Sequence, residues 1–296
     1  MWEGLLEKIR QRDVKALSRS ISLIENEIEG SEQFLQTLNL NSPSKIMGIT
    51  GPPGAGKSTL TDALISKLVE DNKTVAVMCI DPSSPFHLGA LLGDRIRMNR
   101  WHNHPLVYIR SLASRGAMGG LNSKAIEITD ILKEASFDYI IIETVGVGQS
   151  EIEIAGLADI TMVVLVPESG DEIQAMKAGL FEIADVFIVN KSDRPEADLF
   201  YNNLKKMMIN AEFHNKKEIP IFKTVATNED GIDLLCQYVS QYQIHQHTEK
   251  KLRLLAEKAY LLIQQKRMKG ISKEELMQSL IKDNKLTNLY KFVDNI

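Results

Sequence analysis

The fold is decided by the stretch Gly51-Pro52-Pro53-Gly54-Ala55-Gly56-Lys57-Ser58-Thr59, which fits the P-loop pattern G-x-x-x-x-G-K-[ST]. An apolar run over residues 45–50 precedes it and indicates a buried strand. Residues 60–70 follow it with apolar positions at helical spacing. Between a strand and a helix, the glycines let successive backbone N–H groups converge on phosphate oxygens at the positive end of the helix. We therefore expect Lys57 to reach the β- and γ-phosphates of a nucleotide and the Ser58 hydroxyl to coordinate Mg²⁺.

Strand-like and helical runs alternate along most of the chain outside this loop. The strand candidates are residues 45–50, 74–81, 106–110, 138–143, 160–166, 185–190 and 221–225. They are mostly unbroken β-branched runs, which are typical of a parallel sheet that is buried on both faces. With right-handed crossovers, this pattern predicts an α/β fold with a doubly wound, mostly parallel sheet, whose site lies at the carboxyl ends of the strands.

Helical extensions are predicted at both ends of this core. The pattern divides the chain into an N-terminal helical extension over 1–43, a P-loop domain over 44–243 and a C-terminal helical arm over 244–296. In the N-terminal extension, apolar residues recur every three or four positions at Val14, Leu17, Ile21 and Ile24. This spacing predicts one apolar helix face that packs on the nucleotide domain.

The C-terminal arm carries an apolar helical stripe of its own. Its members are Leu252, Leu255, Ala256, Ala259, Leu262 and Ile263. Gly270 is the expected helix stop, and Ser272-Lys273-Glu274-Glu275 predicts a capping box that opens another helix. The stripe alone leaves open whether the arm joins two subunits in a homodimer or folds back on the core.

The composition is that of an ordinary globular protein of 296 residues, with 44% hydrophobic residues, 25% charged residues and a net charge of −4. This balance gives no reason to expect a nucleic-acid partner, which favours a basic face. The sequence shows no run near the roughly 18 apolar residues of a membrane span and no signal or transit peptide, so we expect a cytoplasmic protein without membrane contact. Cys79 and Cys236 are expected to be reduced core residues.

A second motif, Asn190-Lys191-Ser192-Asp193, directly follows a predicted strand and matches the N-K-x-D box with which GTPases read guanine. The Asp193 carboxylate can accept two hydrogen bonds, from the ring N–H and the exocyclic amine of guanine. Adenine offers no such pair of donors, and a site whose polar groups are left unpaired rejects the wrong base. GTP or GDP is therefore the expected nucleotide. We assign to it Gly54, Ala55, Gly56, Lys57, Ser58, Thr59, Gly146, Asn190, Lys191, Asp193, Val225 and Ala226.

A third motif is the apolar strand candidate 138–143, which ends in the carboxylate of Glu143 and is followed by Gly146 in a Walker-B arrangement. We expect Glu143 either to act on Mg²⁺ through its water shell or to polarise the attacking water, and the Gly146 N–H to bond the γ-phosphate. Ras-like enzymes place a water-orienting glutamine immediately after this glycine, where Val147 stands here. The sequence therefore predicts slow intrinsic hydrolysis that a partner or a loop rearrangement accelerates.

Two further carboxylates, Asp81 and Asp94, are expected at the same edge of the sheet. Together with Ser58 and Glu143 they form the candidate Mg²⁺ site. The candidate catalytic residues are Lys57, Glu143 and Asp94. Helix capping or turn formation is the alternative role for Asp81 and Asp94.

Other polar residues give weaker signals. Arg110 and Arg115 are candidates for contact with phosphates or a partner, and solvated surface arginines are the alternative. His102 and His104 lie close together, but no cysteine or acidic cluster completes a set of four metal ligands around them. We therefore expect these two histidines to have a role within their loop.

The motifs together resemble those of the MeaB/ArgK (MMAA-type) P-loop GTPases, a SIMIBI-type group. Besides the P-loop and the N-K-x-D box, the resemblance includes Gly93-Asp94-Arg95-Ile96-Arg97-Met98 and, most specifically, the block Glu143–Glu151. It covers about residues 10–245. The chain departs from the family pattern at Pro52, over 86–90 and over 111–113, which leaves the identity of the partner open.

The resemblance implies a G-protein chaperone that couples GTP hydrolysis to cofactor loading and protection of an adenosylcobalamin-dependent acyl-CoA mutase, chiefly methylmalonyl-CoA mutase. It implies a homodimer held by the C-terminal arm. It also implies that residues 167–177 form a switch that reports the nucleotide state to the mutase.

Two functions of other classes are the alternatives. A P-loop kinase is disfavoured by Asn190–Asp193, because most such kinases read adenine. A metal-delivery GTPase of the hydrogenase and urease maturation type usually carries clusters of Cys and His ligands, and this sequence shows none. Nucleotide competition tests the first alternative and calorimetric metal titration tests the second.

The guanine box gives a direct prediction. Asp193→Asn should convert the preference of the protein from GTP toward xanthosine triphosphate, because a carbonyl replaces the exocyclic amine in xanthine. Competition between the two nucleotides for the wild type and the variant measures this preference. A variant that still prefers GTP would remove Asp193 from base recognition.

Overall fold

The computed structural model describes residues 2–39, 41–81, 98–113, 124–144, 150–169, 182–210, 219–243, 249–268, 271, 273–282 and 292–293. The chain forms two compact units, Met1–Lys251 and Leu252–Ile296. The first unit contains the sheet and every predicted motif of the nucleotide site.

All seven predicted strands are present, with ends that lie within three residues of the predicted ones. They are β1 (Lys45–Thr50), β2 (Val75–Asp81), β3 (Val107–Ala113), β4 (Tyr139–Thr144), β5 (Ile160–Leu165), β6 (Val186–Val189) and β7 (Ile221–Lys223). They form a single sheet in the order β3-β2-β4-β1-β5-β6-β7. Each neighbouring pair is parallel, so the predicted doubly wound α/β fold is confirmed.

Helices connect these strands and cover the sheet. The helices described in the first unit are α1 (Leu5–Arg10), α2 (Val14–Glu25), α3 (Ser31–Gln36), α4 (Lys57–Glu70), α5 (Ala125–Glu134), α6 (Ser150–Leu157), α7 (Ala197–Asn210) and α8 (Ile232–Gln241). Helix α9 (Glu249–Arg267) begins in the first unit, and α10 (Lys273–Lys282) belongs to the second. Across the described part of the chain, no helix is both long and apolar enough to span a bilayer.

The sheet is buried on both faces, as its unbroken apolar strands predict. Along β5, Met162 and Val164 belong to the core cluster that includes residues of α4 and α8. The alternate residues Val163 and Leu165 belong to a second cluster with residues of α7. Since successive side chains of a strand point to opposite faces, this division places helices on both sides of the sheet.

The central position of β1 places the P-loop in the middle of the sheet edge. β1 pairs with β4 on one side and with β5 on the other. The register places Ile49 beside Glu143, so the end of β4 lies next to the start of the P-loop. The carboxyl ends of parallel strands share one edge, which is where ligands bind in open α/β sheets.

The N-terminal helix α2 buries most of the predicted apolar face. Leu17, Ile21 and Ile24 are buried, and α2 packs against α5. The prediction was wrong for Val14, which is 58% exposed. Val14 is the first residue of α2, directly after the N-cap Asp13, and a helical side chain leans toward the N-terminus of its helix. Its side chain therefore points away from the packed region.

Both cysteines are free, as the sequence predicts. Cys79 is buried within β2, and Cys236 is partly buried in α8. Burial, together with the nearby carboxylates of Asp233 and Asp71, raises the pKa of the Cys236 thiol to about 12. Because the thiolate is the reactive form, Cys236 is an unreactive thiol at neutral pH.

Two glycines at helix N-caps allow a test of the packing between the start of α8 and the end of β7. Gly231 and Gly4 are both helix N-caps with nearly the same conformation, at φ 76° and ψ −3° and at φ 71° and ψ −5°. A Cβ atom at Gly231 would lie 2.2 Å from the carbonyl oxygen of Lys223, whereas one at Gly4 would meet nothing within 4 Å. We expect Gly4→Ala to destabilise the protein by about 1 kcal/mol through backbone strain alone. Gly231→Ala should destabilise the protein by about 1–3 kcal/mol more, because its Cβ atom also clashes with the Lys223 carbonyl oxygen.

The free energy of unfolding of both variants is measured by urea denaturation followed by circular dichroism. Gly4→Ala is the matched control, because it imposes the same backbone strain without the contact. Equal destabilisation of the two variants would contradict the close approach of Gly231 to Lys223.

Candidate functional site

The P-loop closes against the first turn of α4. Helix α4 begins at Lys57, and its N-cap Gly56 has a φ of 86°, which glycine adopts without strain. The Lys57 side chain is buried, and its Nζ donates hydrogen bonds to the carbonyl oxygens of Gly51 at 2.9 Å and Pro52 at 3.0 Å. The ammonium group thus lies against the loop at the positive end of a helix of 14 residues.

The hydroxyl of Ser58 lies against the carboxylate of Glu143. Ser58 Oγ donates to Glu143 Oε1 at 2.6 Å, across the junction between α4 and the end of β4. Both residues are buried, at 7% and 3% exposure. The structure therefore joins the two residues that the sequence assigns to Mg²⁺. A serine whose hydroxyl donates a hydrogen bond to a carboxylate can still bind a cation through an oxygen lone pair.

Thr61 joins this pair, and the sequence analysis missed it. Its Oγ1 lies 2.9 Å from Glu143 Oε2 and 3.0 Å from the carbonyl oxygen of Lys57. Residues three apart on a helix share a face, so the hydroxyl of Thr61, three positions after Ser58, could have indicated from the sequence a second residue of the site. Without the position of β4, that signal does not distinguish a site residue from an ordinary buried threonine.

Asn190 connects the end of β6 to the P-loop. Its Nδ2 donates to the carbonyl oxygen of Ala55 at 2.9 Å, and its Oδ1 accepts from Thr224 Oγ1 at 3.1 Å and from the backbone N–H of Ala226 at 3.2 Å. The residue is 2% exposed. A Cβ atom at Gly56 would lie 2.5 Å from Asn190 Nδ2, so the last glycine of the loop leaves room for this amide.

The rest of the N-K-x-D box lies beside the loop as well. Lys191 Nζ donates to the carbonyl oxygen of Gly54 at 2.8 Å. The backbone N–H of Ser192 donates to the carbonyl oxygen of Thr224 at 3.0 Å, which ties the box to the end of β7. Asp193 follows and is exposed, so its carboxylate is accessible to a ligand.

Val225 and Ala226 lie just beyond β7, where the sequence analysis places part of the nucleotide site. Both are buried, and Val225 forms a bridge with Asp230 that closes the loop between β7 and α8. Through the bond between Ala226 N–H and Asn190, this loop contacts the same asparagine as the P-loop. Three loops at the carboxyl edge of the sheet thus meet at one residue.

Several assigned residues lie outside the described part of the chain. They are Asp94, Gly146 and, from Gly170 onward, the expected switch segment 167–177. Val147, which stands where Ras-like enzymes have a glutamine, lies outside it as well. Asp81 ends β2, at the expected edge of the sheet, but its side chain is also outside the described set. Among the described residues, the structure brings five assigned residues to the P-loop region through side-chain contacts: Lys57, Ser58, Glu143, Asn190 and Lys191.

Two weaker sequence candidates have local roles. Arg110 Nη2 pairs with Glu25 at 2.7 Å and bonds Ser22 at 3.1 Å, so this arginine ties β3 to α2. Its side chain is 22% exposed, so it is not a freely solvated surface arginine. His104 Nδ1 accepts from the backbone N–H of Leu106, and its ring packs edge-on against Trp101.

The described residues fit a nucleotide phosphate chain with Mg²⁺. They supply a helix N-terminus, an ammonium group at Lys57, and the Ser58 hydroxyl beside the Glu143 carboxylate. No group of three or more His, Cys, Asp or Glu that could hold a metal occurs within the described ranges. Mg²⁺ needs fewer protein ligands than this, since it keeps several waters and is bound by one or two side chains and phosphates.

The family model for MeaB, described as methylmalonyl Co-A mutase-associated GTPase, matches residues 17–284. The chain belongs to the MeaB family. It is 42% identical to a protein of Pyrococcus abyssi over 248 residues, which cover 82% of this chain and 76% of that protein. It is 37% identical to the GTPase ArgK of Escherichia coli K12 over 194 residues, or 64% of this chain and 58% of ArgK.

Two further comparisons concern a fused relative and the fold. The chain is 36% identical over 243 residues to the fused isobutyryl-CoA mutase of Cupriavidus metallidurans, and the match covers 78% of this chain and 22% of that protein. The crystal structure of an LAO/AO transport system kinase matches with a TM-score of 0.64 and 22% identity, over 96% of this chain and 87% of that one. At this identity the structural match shows the fold alone.

The contacts of Asn190 give a prediction for this site. Asn190→Asp keeps the shape of the side chain but replaces the donor that faces the Ala55 carbonyl with an oxygen. We expect the affinity for GDP to fall about tenfold or more, because a buried acceptor loses its donor and meets a like partial charge. Asn228→Asp, at an exposed position two residues after Ala226, makes the same change in net charge and is the control.

Affinity is measured by titration with a fluorescent GDP analogue. Equal affinities for Asn190→Asp and Asn228→Asp would show that the bond to Ala55 does not support nucleotide binding.

Proposed function

We propose that this protein is a Mg²⁺-dependent G protein that hydrolyses GTP slowly and assists an adenosylcobalamin-dependent acyl-CoA mutase of the methylmalonyl-CoA mutase type in cofactor loading and protection. The observation that carries the proposal is the match of 78% of this chain to part of a fused isobutyryl-CoA mutase. A region similar to this chain and a named acyl-CoA mutase are thus covalently joined in a relative. The family description, a mutase-associated GTPase, supports the same partner class.

In this proposal the P-loop holds the phosphate chain. The Lys57 ammonium leaves the carbonyl oxygens of Gly51 and Pro52 and binds phosphate oxygens, which are stronger partners because they are charged. Ser58 would bind Mg²⁺ through an oxygen lone pair while its hydroxyl still donates a hydrogen bond to Glu143 Oε1. When bound, Mg²⁺ neutralises charge that develops on the phosphate oxygens.

Glu143 has two possible actions, and we propose that both use the same fixed carboxylate. It orders water at the metal site, or it orients the attacking water toward the γ-phosphate. Asp81 and Asp94 are proposed to complete the site as further carboxylates, and Gly146 to donate its N–H to the γ-phosphate. Thr59, which is exposed at the start of α4, is proposed to face the nucleotide with Ala55 and Gly56.

The base is proposed to lie between the N-K-x-D box and the loop after β7. Asp193 reads the two donors of guanine, while Asn190 and Lys191 hold the box against the P-loop. Val225 and Ala226 form the opposite side of the base site. The position of the box at the end of β6, two strands from β1, supports this arrangement.

The proposal includes a homodimer and a cytoplasmic location with the mutase. Support for the dimer comes from the apolar stripe of α9. Leu252, Leu255, Leu262 and Ile263 remain between 46% and 55% exposed. A helix that exposes a row of large apolar side chains is suited to pair with another copy.

The function is tested by single-turnover GTP hydrolysis, with the protein alone and with an adenosylcobalamin-dependent mutase added. We expect a rate on the order of 10⁻² s⁻¹ or less for the protein alone, the range of GTPases without an activating partner. Addition of methylmalonyl-CoA mutase or isobutyryl-CoA mutase should accelerate hydrolysis and give a complex in size-exclusion chromatography. A fast rate alone, or no complex with either mutase, would contradict the proposal.

The variant Glu143→Ala tests the proposed role of this carboxylate in hydrolysis. It should leave GTP binding nearly intact and lower the rate of hydrolysis by about 10²-fold. Glu134→Ala, which removes another buried glutamate that pairs with Arg10, controls for the loss of a buried carboxylate. Unchanged turnover in Glu143→Ala would remove Glu143 from catalysis.

A further inference from the structure

We propose that Thr61 is a positioning residue that fixes the Glu143 carboxylate in the orientation that the Mg²⁺ site requires. This inference rests on the proposed function, because it assigns Ser58 and Glu143 to Mg²⁺. It concerns a residue that lies outside the P-loop pattern, four positions after Lys57.

The geometry gives each carboxylate oxygen of Glu143 its own hydroxyl. Ser58 Oγ bonds Oε1 at 2.6 Å, and Thr61 Oγ1 lies 2.9 Å from Oε2. The terminal torsion of a glutamate is broad and roughly two-fold, so a carboxylate that is held at one oxygen can still rotate. Two hydroxyls on the same face of one helix, one on each oxygen, restrict this rotation.

The Thr61 hydroxyl has one hydrogen to donate and two acceptors within reach, Glu143 Oε2 at 2.9 Å and the Lys57 carbonyl oxygen at 3.0 Å. An ionised carboxylate is the stronger acceptor, and a bond to it is roughly twice as strong as one between neutral groups. Thr61 is completely buried, so water does not compete for its hydroxyl. The Thr61 hydroxyl is therefore assigned as a hydrogen-bond donor to Glu143 Oε2.

Thr129 shows what a buried helical threonine does without a carboxylate. It is also completely buried in its helix, α5, and its Oγ1 donates to the carbonyl oxygen of Ala125, four residues earlier, at 2.7 Å. Thr61 has the same relation to Lys57 and differs by its contact with Glu143. Thr129→Val is therefore the matched control for Thr61→Val, since both changes remove a hydroxyl with nearly the same shape.

The contact of Thr61 with Glu143 also affects Ser58, because Ser58 donates to the same carboxylate. With Oε2 held by Thr61, Oε1 stays in place as the acceptor for the Ser58 hydroxyl, so that this hydroxyl is oriented to present its oxygen to Mg²⁺. When Thr61 loses its hydroxyl, the Glu143 carboxylate loses one of the bonds that orient it, and the acceptor of the Ser58 hydroxyl is less firmly placed. Mg²⁺ should then bind more weakly, while the contacts of the base are unchanged.

The test measures how fast a fluorescent GDP analogue dissociates as a function of Mg²⁺ concentration. We expect Thr61→Val to raise the Mg²⁺ concentration that half-maximally slows dissociation by about tenfold, the usual effect of one hydrogen bond to a charged group. Dissociation without Mg²⁺ should stay at the wild-type rate. Thr61→Ser should restore most of the Mg²⁺ response, and Thr129→Val should match the wild type within about two-fold.

A double variant identifies the partner. In a Glu143→Gln background, Thr61→Val should have little further effect on the Mg²⁺ response, because the carboxylate that Thr61 orients is already absent. A Thr61→Val response equal to that of Thr129→Val would overturn the inference and leave Thr61 with an ordinary helix bond. Thr61→Ala serves the same comparison if circular dichroism shows that Thr61→Val does not fold.

The Mg²⁺ site and the role of Thr61 are distinguished by different outcomes of this experiment. If the wild type releases the GDP analogue at a rate that Mg²⁺ does not change, the proposed Mg²⁺ site fails and the role of Thr61 fails with it. If the wild type responds to Mg²⁺ and Thr61→Val responds equally, only the role of Thr61 fails.

Discussion

The parallel pairing of β1 with β4 is the constraint on which the rest of the site depends. It sets Glu143 beside Ile49, the next-to-last residue of β1, so the carboxylate lies close to the point where the P-loop begins. The loop then returns Ser58 to within 2.6 Å of that carboxylate. A slip of one residue in this pairing would turn Glu143 to the other face of the sheet, away from α4.

Much of the core was predictable because it depends on local pattern. Unbroken apolar runs indicated all seven strands, and the burial of the sheet on both faces follows from the same runs. The P-loop was predictable for a related reason, since its glycines and the helix that starts at Lys57 are adjacent in the chain. Where the prediction failed, at Val14, the pattern was correct but the packed surface ends before the helix does.

Contacts between distant segments were not predictable from the sequence. Periodicity carries no information on which strands are neighbours, so the place of β4 between β1 and β2 becomes clear only in the structure. The same holds for Thr61, whose partner lies 82 positions away. Asn190 and Lys191 were assigned to the nucleotide, whereas the structure describes their bonds to the P-loop carbonyl oxygens. The motif identified these residues, and the fold shows which contacts they make.

The bonds of Asn190 make the P-loop and the loop after β7 mechanically dependent on each other. A ligand that binds only to the folded arrangement of both loops adds its binding energy to the folded state, by about 2.7 kcal/mol when its concentration is a hundred times its dissociation constant. The supply of that ligand in the cell would then control how often the chain opens to proteases.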